Sequence, residues 1–553
     1  MKKNLILGIN SKFVHTNLAI RYIKNYVEKY SDVKIDLLER TINNSIGEII
    51  SDIFRYDADK ILISTYIWNK EYVFKLIKEF KKIKADTQII LGGPEVSYKS
   101  IELMEENKDI DIIIQGEGEE TALELFTKEN LADIEGIVYR ENKKIISTGE
   151  RKPLCDLDKI PFPYTDEELK EKGKILYYES SRGCPFKCSY CMSSLDKNVR
   201  YFSNEKVEKD LKTFIDAGVS LVKFVDRTYN LHKDRYMKIW KFLLEEYREN
   251  LTFHFEISAD LFDDEAIEFL KKVPNGYFQF EIGVQTINPL TMELINRKNH
   301  LEKLKKNVLS IKDNIHLHLD LIAGLPHEDY NTFKDSFDYV HELKPEMIQL
   351  GFLKILEGTQ ISKEIEKYNY KYLSFPPYEI LENAFISYEE ILKLKDFEQI
   401  LDYYYNSEKF KESTKYIINN FYKRPFDFYE ELALYYRNNN YMGLGHKPLA
   451  IFNFLYDFYL YKKFPNLEIF TQVLKYDYIF MEKPKHQTYW LERNIDKDLY
   501  HNLALKVEGR SLREKYKNCE LELFTYDIFT GKLRELKLFF EYTGKTLVEE
   551  IKI

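Results

Sequence analysis

Two successive series of alternating strand and helix patterns fill the first two thirds of this chain, and that alternation limits its fold more than any other feature. Short apolar runs of strand length occur at 5–9, 35–38, 61–63, 89–91 and 112–114. Between them lie segments such as Tyr72, Val73, Leu76, Ile77 and Phe80, whose spacings of three and four are those of a helix with one buried face. Five short strands joined by helices predict a doubly wound parallel sheet, with ligands beyond the carboxyl ends of its strands. A second series follows at 175–179, 221–225, 253–257, 278–283, 317–323 and 347–353. Six longer units predict a partial (β/α)6 barrel of the TIM type, with function gathered at the carboxyl ends of its strands.

The remainder reads differently. At 553 residues the chain exceeds what one core supports. Residues 139–146 read as a hairpin closing the first module, and the proline-spaced stretch 153–163 reads as an extended linker. From Pro376 and Pro377 onward, strand patterns give way to amphipathic helical stretches rich in Tyr and Phe, ending in a hairpin of 521–526 with 533–542. The resulting α/β division is 1–148 for the first module, 149–173 for the linker, 174–370 for the partial barrel and 371–553 for a mainly helical C-terminal domain.

Hydrophobic content of 44% and charged content of 31% are those of a soluble globular protein. No apolar stretch approaches eighteen residues, so no membrane span is expected. The net charge of −9 gives no overall drive toward nucleic acid. Only five cysteines are present, which excludes a disulfide framework and points to a reducing, cytoplasmic setting.

Three of those cysteines, Cys184, Cys188 and Cys191, fall within eight residues in a Cys-x3-Cys-x2-Cys spacing directly after the first strand of the barrel series. A structural zinc site needs four ligands, and no fourth partner follows nearby. Three thiolates can hold three irons of a four-iron cluster and leave the fourth iron open to a substrate or cofactor. Cys155 and Cys519 stand alone.

The Cys-x3-Cys-x-aromatic-Cys pattern, with Tyr190 as the aromatic, resembles the signature of radical S-adenosylmethionine (SAM) enzymes. The resemblance implies a 4Fe-4S cluster on Cys184, Cys188 and Cys191, SAM chelating the open iron, and a 5′-deoxyadenosyl radical on reduction. It places Tyr190 near the adenine, Asp226 at the methionine amino group, Glu256 and Ser258 around the carboxylate and ribose, Glu281 with Gly283 and Gln285 at the substrate or ribose, and Gly324 in the turn near the adenine. Charged residues inside apolar strands are costly unless paired, so an internal polar network stays open as a reading of the same residues. Lys354 and Glu357 face either substrate or solvent.

The first module adds a second resemblance. Gly92 and Gly93 followed by Pro94, and Gly116-Glu117-Gly118-Glu119 some twenty residues later, look like the cobalamin-binding domain fused to many radical SAM enzymes. Ser64, Tyr66, Trp68, Gly92, Gly93, Glu95, Gly116, Glu117 and Gly118 are the implied cobalamin contacts. The Asp-x-His-x-x-Gly motif of proteins that supply a lower histidine ligand is absent, and His15 lacks its flanking residues, so base-off binding is expected, with Tyr66 or Trp68 either over the lower face or in ordinary packing. No cysteine precedes Cys155, which argues against the methylthiotransferases.

The expected function is therefore radical methyl transfer to an unactivated centre, with a reductant such as flavodoxin or ferredoxin and a small molecule or peptide as substrate. Rearrangement or cyclisation without methyl transfer, and a non-catalytic cobalamin or redox-sensing module, are the alternatives. Catalytic residues acting on the substrate are not assigned. The C-terminal domain is expected to cap the barrel mouth, with His446 as the one polar loop residue of interest.

Overall fold

The computed structural model describes residues 3–484, 488–492, 494–506, 511–543 and 545–551. They form two compact units: Met1–Asp329 with Gly351–Ile386, and Tyr330–Leu350 with Ser387–Ile553.

The first unit begins with strands β1 (Asn4–Asn10), β2 (Ile35–Thr41), β3 (Lys60–Ser64), β4 (Gln88–Gly92), β5 (Ile112–Ile114), β6 (Ile137–Glu141) and β7 (Lys144–Ser147). Their order in the sheet is β2-β1-β3-β4-β5-β6-β7. The first five run parallel and the last two close the edge antiparallel. β1 is buried along its whole length because both faces are covered. Leu5, Leu7 and Ile9 join the core beneath the helices Ile46–Tyr56 and Lys70–Lys81. Ile6, pointing the other way, packs with Ile20, Val27 and Ala122 of the opposite helices. The order in which strands are added reverses between β1 and β3, which run parallel, so the crevice beyond the ends of these two strands is the expected ligand position of such a sheet.

The stretch expected to be an extended linker is instead folded. It contains a 3-10 turn at Leu157–Lys159, and Leu157, Ile160 and Tyr164 are buried. The Tyr164 hydroxyl donates to the Tyr177 carbonyl at 2.9 Å and accepts from the Tyr177 amide at 2.7 Å. Apolar residues between the prolines supply the packing that proline spacing alone does not reveal.

Next come β8 (Leu176–Tyr178), β9 (Ser181–Arg182), β10 (Arg200–Tyr201), β11 (Leu221–Phe224), β12 (Thr252–Ile257), β13 (Phe278–Gln285), β14 (His316–Ala323) and β15 (Met347–Phe352). Six of them form one sheet in the order β15-β14-β13-β12-β11-β8, open at both ends. This is the partial barrel. Phe278, Phe280 and Ile282 of β13 turn outward to the helices and are buried, whereas Gln279, Glu281, Gly283 and Gln285 alternate with them on the inner face. β14 repeats the pattern with His316, His318 and Asp320. The short pair β16 (Lys371–Tyr372) and β17 (Ile380–Glu382) completes the unit.

The second unit is mainly helical. Phe397 and Phe426 stack at 4.4 Å between centroids, and the Tyr404 and Tyr436 hydroxyls lie 2.6 Å apart. The expected terminal hairpin is part of a three-stranded antiparallel sheet of β18 (Cys519–Asp527), β19 (Lys532–Thr543) and β20 (Lys545–Glu550). The third strand and β17 correct the expectation that strands other than the hairpin end before residue 376. Both are short or lack the strict alternation that marks a strand. His446 sets Nε2 2.7 Å from the Tyr441 carbonyl and packs edge-on against Phe454, a structural setting. Among the described residues no helix is long and apolar enough to cross a membrane.

Candidate active site

The cysteine loop is clamped at both ends. β9 and β10 pair antiparallel, Arg182 opposite Arg200 and Ser181 opposite Tyr201, so the segment between them leaves and returns at one place. Gly183 has φ +95°, and a Cβ there would sit 2.4 Å from the Asn198 carbonyl oxygen, so only glycine fits the approach to Cys184. The Cys184 amide donates to the Asp196 carbonyl at 2.9 Å and the Ser189 amide to the Ile295 carbonyl at 3.0 Å. Cys184 and Cys188 are buried, Cys191 is partly exposed, and all three thiols are free. Among the described residues no three His, Cys, Asp or Glu side chains converge on a single-ion site. A cubane asks for something else, one thiolate on each of three irons. The donor set here, three free thiols in one clamped loop, fits that demand.

Beside Cys188 opens a cavity of about 140 Å³, lined by Glu256 and Ser258 from the end of β12, Glu281, Gly283 and Gln285 from β13, Asp320 from β14, and Arg227 and Arg297. The polar inner face of the barrel thus becomes the wall of this cavity. Glu256 is raised to about 7, chiefly by burial, with the Arg227 charge pulling the other way. Burial also pushes Asp320 well up, and its Oδ1 is buried without a hydrogen-bond partner, as are Gln285 Oε1 and Arg297 Nε. Buried polar atoms of this kind are normally satisfied, and three around one cavity mark places for a polar ligand. Glu281 is the exception. Burial pushes it up, but the hydrogen bond from His254 and the neighbouring Lys223 outweigh this and hold it at about 2. Lys223 and His254 both lie 3.0 Å from Glu281 Oε2.

Three of the six sequence-derived SAM positions, Glu256, Ser258 and Glu281, line this cavity, and three do not. Asp226 is fully buried and accepts from the Ser180 amide at 2.8 Å and from the Ser180 and Ser181 hydroxyls at 2.6 Å each, tying β11 to the strand that leads into the cysteine loop. Tyr190 points its hydroxyl at Arg297 Nη1, 3.4 Å away. Gly324 turns at φ +90° against Ile380. Arg297, which no sequence signal singled out, donates to the Gly283 carbonyl and approaches Cys188 Sγ at 3.8 Å.

A second cavity of about 970 Å³ lies at the strand-order reversal of the first sheet. Ser64, Tyr66, Trp68, Gly92, Gly93, Gly116, Glu117 and Gly118 all line it. Gly93, at φ +111°, brings its backbone against Thr65, where a Cβ would lie 2.5 Å from the carbonyl oxygen. Tyr66 and Trp68 stack nearly parallel, 4.4 Å between centroids, and Trp68 anchors its indole N–H on the Ile9 carbonyl at 3.1 Å. The size, the flat aromatic floor and the bare glycine backbone suit a large planar ligand. Glu95 is elsewhere: it accepts from the Tyr378 hydroxyl at 2.9 Å and pairs with Lys70 at 3.4 Å. His15 lines the cavity but sets Nδ1 2.8 Å from the Tyr177 hydroxyl. Glu357 pairs with Lys99 at 2.8 Å, and Lys354 is exposed.

The two cavities belong to one unit. Arg182 donates to Glu119 at 2.5 Å and Glu179 at 2.8 Å, and Arg200 to Glu117 at 2.6 Å. These pairs fasten the cysteine loop to the glycine-rich loop after β5. Tyr177, Glu179, Arg182, Val225 and Arg227 of the barrel therefore line the larger cavity as well.

Three family models match the chain: a B12 binding domain over residues 4–126, the radical SAM superfamily over 178–340, and a protein family of unknown function, DUF4080, over 366–538. An uncharacterized methyltransferase of Pyrococcus horikoshii is 26% identical over 361 residues, 62% of this chain and 77% of the relative. The anaerobic magnesium-protoporphyrin IX monomethyl ester cyclase of Rubrivivax gelatinosus is 23% identical over 444 residues, 72% of this chain and 77% of the relative. The solved structure of the cobalamin-dependent SAM radical enzyme OxsB shares the fold at a TM-score of 0.60 and 16% identity, covering 92% of this chain and 82% of that one. Cysteine loop, polar barrel interior, switch-point cavity and the two domain matches agree: the chain carries a B12 binding domain followed by a radical SAM domain, and a 4Fe-4S cluster, SAM and cobalamin are its cofactors.

Proposed function

We propose that this enzyme transfers a methyl group to an unactivated centre of its substrate. The observation that carries the reading is that Arg227 lines both cavities, so the SAM side and the cobalamin side adjoin at one side chain. Cys184, Cys188 and Cys191 are the residues for the cluster. Glu256, Ser258 and Glu281 are assigned to SAM, joined by Asp320, Gln285 and Arg297, whose unsatisfied buried atoms face the same space. Asp226, Tyr190 and Gly324 then shape the cysteine loop and the barrel mouth. Eight of the nine cobalamin positions, all but Glu95, are assigned to the corrin, with the Tyr66–Trp68 pair against one face.

When bound, the cofactors supply a carbon radical and a transferable methyl group. The chain supplies placement. The paired carboxylates and arginines of the seam hold two ligands in register, and the stacked aromatics exclude water from the corrin face. Proximity of this kind is a large part of what such a site contributes. The name of the Pyrococcus relative supports methyl transfer, and that of the Rubrivivax relative supports cyclisation without it as the second reading.

The substrate side calls for an external electron donor of the flavodoxin or ferredoxin type and a reducing, cytoplasmic setting. Anaerobic incubation of reconstituted enzyme with SAM, reductant and cell extract, followed by mass spectrometry, tests the reading. A product heavier than its precursor by about one methyl group is expected, together with 5′-deoxyadenosine or S-adenosylhomocysteine. SAM cleavage with an unmethylated, rearranged product would replace it by the second reading.

A further inference from the structure

Three arginines line the larger cavity, Arg151, Arg182 and Arg227. Two are spent on protein carboxylates: Arg151 on Glu120 and Glu124, Arg182 on Glu119 and Glu179. Arg227 differs. Among the described residues no hydrogen bond or ion pair engages its guanidinium, although its side chain reaches into both cavities. Nor is it loosely placed. Asp226 before it is locked to Ser180 and Ser181, and the Thr228 hydroxyl after it donates to the Arg227 carbonyl and lies 3.9 Å from Cys184 Sγ. A fixed backbone thus presents a free planar cation at the one position common to both spaces.

Arg227 is exposed where it borders both cavities, and an arginine fork binds a carboxylate or phosphate with two parallel hydrogen bonds. Glu256 feels the Arg227 charge, and among the described residues it forms no ion pair with it. The cation on the cysteine side is Arg297, 3.8 Å from Cys188 Sγ. That leaves Arg227 for an anionic group of a bound small molecule. Resting on the methyl-transfer reading for the location of the substrate, we propose that the substrate is an anion whose carboxylate or phosphate group is bound by Arg227 in the passage between the SAM and cobalamin cavities. This makes Arg227 the residue that orients the reacting carbon toward both sides and selects for substrate charge.

The test uses the reconstituted holoenzyme and two probes, inorganic phosphate and succinate, with binding followed by isothermal titration calorimetry. Wild type is expected to bind at least one of them saturably in the millimolar range. Arg227→Gln is expected to weaken that probe at least tenfold, and Arg227→Lys by only a few fold. The probe that binds tells phosphate from carboxylate. SAM affinity in Arg227→Gln should stay within about threefold of wild type, with corrin absorbance and iron content confirming that the variant is folded and loaded. Absence of saturable binding of either probe, or equal binding in Arg227→Gln, overturns the proposal. So does a parallel tenfold loss of SAM affinity, which would put the methionine carboxylate at Arg227. Binding is read without turnover, so failure of methyl transfer leaves this result independent.

Discussion

Arg182, two residues before the first cysteine, donates through Nη2 to Glu119, which opens the helix after the last parallel strand of the first sheet. Both side chains are buried, at 12% and 6% exposure. This ion pair, with that of Arg200 and Glu117, ties the cluster loop to the cobalamin-side loop. Removing Arg182 strands Glu119 and Glu179 and costs about 3 kcal/mol, whereas removing Glu119 leaves Arg182 its bond to Glu179 and costs about 1 kcal/mol. Arg182→Gln is expected to lower the unfolding free energy by about 3 kcal/mol in chemical denaturation, and Glu119→Gln by about 1 kcal/mol. The double variant should lose less than the sum. A loss below about 1 kcal/mol in Arg182→Gln would mean that these pairs do not hold the two modules together.

Glu256 makes stability depend on pH in a defined direction. Its folded value, about 7, lies above the ordinary 4.5. The folded chain therefore holds the proton more tightly than the unfolded chain. Its stabilising contribution is full below about pH 4.5 and is lost as pH rises through 7. Glu256→Gln should flatten that part of the stability profile and leave the ligand-free protein more stable than wild type at pH 8, by about 2 kcal/mol after allowing for water in the cavity. Parallel wild-type and variant profiles between pH 5 and 8 would contradict this.

Trp68 presents a partly exposed indole to the larger cavity on top of Tyr66. Trp68→Ala removes a large flat contact and is expected to weaken cobalamin about tenfold, with Trp68→Phe retaining most of the affinity. Equilibrium dialysis read by corrin absorbance measures both. Unchanged affinity in Trp68→Ala would remove the aromatic pair from the corrin site.

The strand ladders of both α/β modules were legible because their residues carry the pattern themselves. β1, β3 and β4 are continuous apolar runs, and β13 and β14 alternate without a break. β9 and β10, two residues each, carry no pattern, yet they close the cysteine loop. The same division holds in the site. Glu95 and Glu117 both sit in glycine-flanked loops after strands, and nothing in their neighbours tells them apart. Glu95 is captured by Tyr378, 283 positions away, and Glu117 by Arg200, 83 positions away. Asp226 reads as a ligand from its place at a strand end, but Ser180 and Ser181 take both its oxygens. Arg227 and Arg297 stand out only once their partners, or the lack of them, can be seen.

In the second unit Asp477 is fully buried and accepts from the Ser413 amide at 2.7 Å and hydroxyl at 2.6 Å, and from the Glu412 amide at 3.3 Å. These bonds satisfy the start of the helix Lys411–Phe421. Burial raises Asp477 to about 7, so a neutral acceptor serves nearly as well. Asp477→Asn is expected to be close to neutral at pH 7, and Asp477→Ala to cost about 2–3 kcal/mol. Equal losses for the two would show that charge, not hydrogen bonding, matters there.

The central claim is that Cys184, Cys188 and Cys191 hold a four-iron cluster with one corner open to SAM. Electron paramagnetic resonance of anaerobically reconstituted, dithionite-reduced enzyme, recorded with and without SAM, tests it most directly. The expected result is about four irons per chain and a reduced-cluster signal whose g values shift when SAM is added, with the signal lost in Cys188→Ala. Protein that binds no iron, or a signal that SAM leaves unchanged, would contradict the account.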